Sequence, residues 1–191
     1  MAQTQVKKFT FAEFLDYDAE DCRAELENGE IIIMPTASPR HIEIVRFLYS
    51  LIQQYIKEHN LSLEIFPGGI GVRTGIHSCR EPNLCILHRE EWESLRKQNP
   101  KSAIVEHPPL LVIEVVSPGS ENQERDYRKK WGEYLQMGIP EYWIVDPEEQ
   151  KVTVCVLEDN AYTSTEYTGQ APIRSGLLTD LALTVKQLST L

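Results

Sequence analysis

Leu110 to Tyr134 reads LLVIEVVSPGSENQERDYRKKWGEY. The apolar run Leu110 to Val116 has the pattern of a strand covered on both faces. A single acid, Glu114, interrupts it. A carboxylate inside such a strand costs several kcal/mol unless a cation, a metal or a chemical task meets it. Ser117-Pro118-Gly119 ends the strand. Ser120 with Gln123 three residues later predicts a capping box and a helix start. That helix carries Asp126, Lys129, Lys130, Trp131 and Tyr134, and stops at Gly138 with Pro140 just beyond. EYWIV, Glu141 to Val145, follows as a strand, which makes a β-α-β crossover with a parallel strand pair.

The crossover brings two residues within reach of each other. The helix runs back along the sheet, about 15 Å from Ser120 to Lys130. Glu114 lies about 10 Å back from Ser117. Helical side chains lean toward the helix N-terminus, so the Lys130 ammonium falls near the level of Glu114. The competing reading pairs Lys130 with Asp126 at i,i+4 on a solvated face. Spacing alone leaves both open.

Outward from this unit, the elements are mostly local in origin. Residues 1–8 read as a loose polar arm. Thr10 to Leu15 reads as a short helix capped by Thr10. Arg23 to Glu27 and Glu30 to Met34 form a hairpin across Asn28-Gly29, the preferred type I′ pair. Ser38 as cap and Pro39 as first residue open a long helix. Its apolar stripe is Ile44, Val45, Leu48, Leu51, Ile52, Tyr55 and Ile56. Leu61 to Phe66 and Ile70 to Arg73 are strands joined by Pro67-Gly68-Gly69. Pro82 to Leu87 is another strand, entered through Arg80-Glu81, and Glu90 to Gln98 a helix ended by Asn99-Pro100. Asp146-Pro147 reads as a turn. A second hairpin joins Lys151 to Leu157 and Tyr162 to Tyr167, and the tail ends in a short amphipathic segment. The fold class is α/β: a mixed, α+β type sheet flanked by helices, with an N-terminal hairpin, in a single domain over 1–191.

Composition narrows the function. The formal net charge of −10 argues against tight non-specific nucleic-acid binding, because affinity for phosphate comes from Lys and Arg. It leaves room for a local basic groove. Cysteines 22, 79, 85 and 155 form no CxxC pair, so free thiols and a cytoplasmic location are expected. The chain has no apolar run of membrane-spanning length. His77, Cys79, Glu81 and Cys85 lie close in sequence, but their spacing fits no zinc signature.

Polar residues at strand positions mark the candidate site. Glu81 and Asn83 share a face at strand period. Beside Glu114 they would make an oxygen-rich site suited to Mg²⁺. Glu25, before the hairpin turn, reads first as an exposed cross-strand partner and second as an accessory acid. His41 reads as a structural histidine, and Trp131 and Tyr134 as core.

Six blocks in order resemble the Uma-type restriction endonuclease family, long called a domain of unknown function. They are Glu25 to Glu30 (ELENGE), Ser38 to His41 (SPRH), Phe66-Pro67 through Gly71-Val72-Arg73, Arg80 to Asn83 (REPN), Val112 to Pro118 (VIEVVSP) and Gly138 to Pro147 (GIPEYWIVDP). The resemblance implies a PD-(D/E)XK nuclease fold and a metal-dependent phosphodiester hydrolase. It implies Mg²⁺ or Mn²⁺ as cofactor, DNA as partner and a homodimer that cuts two strands. Glu114 matches the family's second acid. The superfamily's lysine position falls on Val116, and the lysine moved to the helix matches Lys130. The first metal aspartate is Asn83 in this chain, which predicts weakened metal binding that Glu81 on the same face could relieve. The alternatives are a catalytically silent fold that binds nucleic acid or protein, and a hydrolase of smaller phosphate substrates.

Overall fold

The computed structural model describes residues 7–17, 23–99 and 102–191. Cys22, Pro100 and most of the polar arm, residues 1–6, lie outside them. Eleven strands are described. They are β1 (Ala24–Glu27), β2 (Glu30–Ile33), β3 (Leu63–Phe66), β4 (Gly71–Gly75), β5 (Ser78–Arg80), β6 (Leu84–His88), β7 (Ile104–Val105), β8 (Leu111–Val115), β9 (Glu141–Asp146), β10 (Lys151–Glu158) and β11 (Ala161–Thr168). The helices are α1 (Phe11–Leu15), α2 (Pro39–Glu58), α3 (Arg89–Gln98), α4 (Ser120–Glu124), α5 (Trp131–Met137) and α6 (Val185–Ser189). A π-helical segment, Arg125–Lys130, joins α4 to α5.

The strands form two sheets, β2-β1-β5-β4-β7 and β11-β10-β9-β8-β6-β3. β8 and β9 pair in parallel with Glu114 opposite Ile144, so the crossover is present as expected. Leu111, Ile113 and Val115 pack against the α2 stripe of Ile44, Leu48 and Ile52. Val112 and Val116 point the other way, with Tyr134 of α5 and Val72 of β4. The larger sheet is therefore covered by α2 on one face. On the other it is covered by the helix that follows β8 and by the smaller sheet. Glu114 shares the second face with Val112 and Val116.

The local signals hold where the backbone chemistry is strict. Asn28 and Gly29 both have positive φ, as a type I′ turn needs. Ser38 accepts from the His41 N–H at 3.2 Å, with Pro39 as first residue of α2. Thr10 and Glu13 make a reciprocal cap on α1.

Four expectations need correction. Ser120 does not cap its helix. The cap is Gly119 at φ 108° with no side-chain bond, and Asn122 Nδ2 instead donates to Pro118 O at 2.7 Å. Leu61 to Phe66 and Ile70 to Arg73 yield β3 and β4 in different sheets, because Gly68 and Gly69 turn the chain out of one layer into the other. Arg80 does not lead into the next strand but ends one of its own, β5. The polar arm is tied down at Lys8, whose Nζ donates to Asn28 O and meets Glu30 at 3.0 Å. No helix of the described residues is long and apolar enough to cross a membrane.

Candidate active site

β8 brings Glu114 to the layer between the sheets, where it is 2 % exposed. Lys130, from the end of the π segment, is 1 % exposed. Its Nζ lies 2.8 Å from Glu114 Oε1. Asp126 is 4.0 Å from the same ammonium, but both side chains are buried, so the solvated-face reading fails. The six-residue π segment turns Asp126 and Lys130 inward together. Such segments recur at functional sites. Tyr142 of β9 donates to the Asp126 carbonyl at 2.9 Å and seats the segment on the sheet.

Glu25 is the largest departure from expectation. It is not an exposed partner: it is fully buried. One carboxylate oxygen meets Lys130 at 2.9 Å and the Glu81 N–H at 3.1 Å, and the other meets Arg80 at 3.1 Å. Arg80, equally buried, also pairs with Glu27 and Glu133. Burial alone would raise the Glu25 carboxyl, but Lys130 and Arg80 beside it hold it down at about 2. Glu114 goes the other way. Burial, with Asp126 and Glu25 nearby, raises it against the pull of Lys130. For Lys130 burial works against the charge, yet Glu114 and Glu25 raise its affinity for the proton.

Three participants escaped sequence reasoning. Tyr134 Oη donates to Glu114 Oε1 at 2.9 Å, so that oxygen serves two donors. Arg80 anchors Glu25. Arg125 forks onto Asp126 at 2.8 and 2.9 Å. Only Tyr134 left a usable trace, four residues after Lys130 and so on the same helix face. Arg80 and Arg125 looked like ordinary charges in polar surroundings.

A narrow cleft of about 40 Å³, room for a water or so, opens onto this network. Glu114, Lys130, Asn83, Glu81, His41, Ser117, Arg23 and Arg125 line it. Position 83 therefore does sit beside Glu114 and Lys130. The Asn83 N–H makes a long contact, 3.3 Å, to Glu114 Oε2, and its Oδ1 accepts from the Val115 N–H at 2.7 Å. Glu81 Oε1 accepts from the Gly69 N–H at 2.8 Å and meets Arg23 at 2.9 Å.

A divalent ion needs oxygen atoms free to turn toward it. Here Glu114 Oε1, both oxygens of Glu25, Asn83 Oδ1 and Glu81 Oε1 already serve protein donors. Among the described residues, no three His, Cys, Asp or Glu side chains are grouped to hold an ion. As it stands, the arrangement does not fit the divalent ion that the resemblance implies. Nor does the stretch around Cys79 form a soft-metal site. Cys79 and Cys85 are buried thiols, and burial pushes Cys79 up to about 12.

A family model described as "Uma2: Putative restriction endonuclease" matches residues 11–186. A crystal structure described as a "putative nuclease belonging to DUF820", from Anabaena variabilis, superposes with a TM-score of 0.77 at 22 % identity. The match covers 95 % of this chain and 98 % of that one, and shows a shared fold. No curated protein matches significantly.

Proposed function

Because the chain belongs to the Uma2 family, we propose that its cleft hydrolyses DNA phosphodiester bonds, at a rate held down by Asn83. The observation that carries this reading is the Lys130 ammonium held 2.8 Å from Glu114 and 2.9 Å from Glu25 at the floor of a cleft that Asn83 also lines. Glu114, Lys130 and Asn83 form the reaction site, with Glu81 at its rim and Glu25 behind it. Lys130 supplies fixed positive charge beside the reacting phosphate. Arg23 and Arg125 line the cleft, paired with Glu81 and Asp126, so a phosphate competes with those carboxylates for them. The resemblance implies Mg²⁺ or Mn²⁺ as cofactor, an ion that the donors as they stand do not fit. Asn83 is part of the reason, since a neutral amide already spent on Val115 stands where a carboxylate would hold the ion. A homodimer with two such clefts would cut both strands.

One comparison tests this. Native chain, Asn83→Asp and Glu114→Ala are incubated with plasmid and linear DNA in Mg²⁺ and in Mn²⁺. Asn83→Asp raises the cleavage rate by about 100-fold, a few kcal/mol of transition-state stabilisation, and Glu114→Ala abolishes it. A second reading, a fold that grips nucleic acid without cutting, draws on the same Asn83–Val115 bond. Salt-sensitive retention of DNA with no cleavage by any folded version favours it.

A further inference from the structure

Hydrolysis in this cleft needs a group that takes a proton from water. Lys130 is poorly suited, because Glu114 and Glu25 hold its ammonium from two sides at 2.8 and 2.9 Å. Arg23 and Arg125 keep their protons at any working pH. Glu81 is engaged by Arg23 and the Gly69 N–H. Glu114 Oε1 is shared between Lys130 and Tyr134. His41 is the titratable group lining the cleft that no ion pair engages among the described residues.

The placement of His41 suits that task. It is the third residue of α2, in the first turn, where the helix presents its positive end. Its Nδ1 lies 3.5 Å from Ser117 Oγ, just past the end of β8. That contact, at the outer limit of a hydrogen bond, places the ring beside the strand that carries Glu114. Burial holds the imidazole below its ordinary value. Arg23, Arg125 and Lys130 act in the same direction, and Asp126 opposes them. A neutral imidazole at neutral pH is a base ready to act.

We propose that His41 accepts the proton of the attacking water, a role that rests on the hydrolase reading above. As the water oxygen bonds to phosphorus, its proton passes to the imidazole. The bond from phosphorus to the leaving oxygen breaks, and that oxygen takes a proton from solvent. The imidazolium then returns its proton to solvent, which closes the balance.

The test uses the Asn83→Asp chain with Mn²⁺ and DNA, with and without His41→Gln or His41→Ala, over about pH 5 to 8, where a histidine titrates. The His41 variants lower kcat by about 10²- to 10⁴-fold and leave KM and DNA affinity unchanged. They also lose the acid limb of the pH profile, and added imidazole restores rate to His41→Ala. Equal rates with an unchanged profile overturn the role of His41 and leave the hydrolase reading standing. No cleavage by the chain that retains His41 removes the hydrolase reading and this role with it. A readout independent of activity is the ring titration of His41 by NMR in the native chain without metal. A midpoint below the ordinary histidine value agrees with the proposal, and a ring that stays protonated through pH 8 contradicts it, since a protonated imidazole accepts no proton.

Discussion

Glu25 and Glu114 meet one ammonium from two different sheets, and their surroundings push them in opposite directions. Glu25 has Lys130 and Arg80 against it and sits at about 2 despite burial, below its ordinary 4.5. A depressed carboxyl stabilises the fold above its unfolded value. That contribution fades as pH falls from about 4.5 through about 2 and amounts to about 3 kcal/mol. Denaturant titrations of native chain and Glu25→Gln, near neutral pH and near pH 3, check it. The native chain loses more stability between the two conditions than the variant does, and parallel losses contradict the assignment. Glu114 was legible in the sequence as one acid in an apolar run, and helix and strand rise offered Lys130 as its partner without excluding Asp126. Glu25 was not, because a residue beside a hairpin turn looks the same whether its strand faces water or a second sheet. Arg80, which keeps Glu25 charged, lies 55 residues away, and no local pattern joins them.

Elements set by short-range rules were readable: the Asn28-Gly29 hairpin, the Ser38 cap, the α2 stripe and the crossover into β9. Elements made by long-range pairing were not. β5 and β7 are three and two residues long and exist only because β1 and β4 lie beside them. The π segment was hidden because its sequence is a good α-helix sequence. Its form goes with the inward turn of Asp126 and Lys130 and with the Tyr142 bond to Asp126 O. β9 carries a further buried acid with a different task. Glu141 accepts from Trp143 Nε1 at 2.6 Å, Ser175 Oγ at 2.7 Å, Gly176 N at 2.8 Å and Leu177 N at 3.1 Å. It ties the segment after β11 to the larger sheet. Glu141→Leu strands these donors and lowers unfolding free energy by roughly 3 kcal/mol. Chemical denaturation reads this directly, and a change under about 0.5 kcal/mol, as for a surface site, refutes it.

At the scale of the molecule, the family's fold is complete while the chemistry it implies is not preassembled. Two sheets close around one crossover, and the charged network sits where they meet. The net charge of −10 is not reversed at the cleft, where Arg23, Arg125 and Lys130 are each paired with a carboxylate. The sequence showed the crossover, and the replacement at position 83 came only from the family resemblance. It could not show that the Asn83 amide is spent on Val115, since that depends on how β8 lies against the turn into β6. On the hydrolase reading, the residue at position 83 weakens the hold of this site on a divalent ion. Titration of Mn²⁺ into native chain, Asn83→Asp and the double variant Asn83→Asp/Glu114→Ala, followed by electron paramagnetic resonance, tests it most directly. The account predicts weak binding by the native chain, binding at least about tenfold tighter on gaining the carboxylate, and loss of that gain without Glu114. Native binding as tight as that of Asn83→Asp, or no gain from the aspartate, would contradict it.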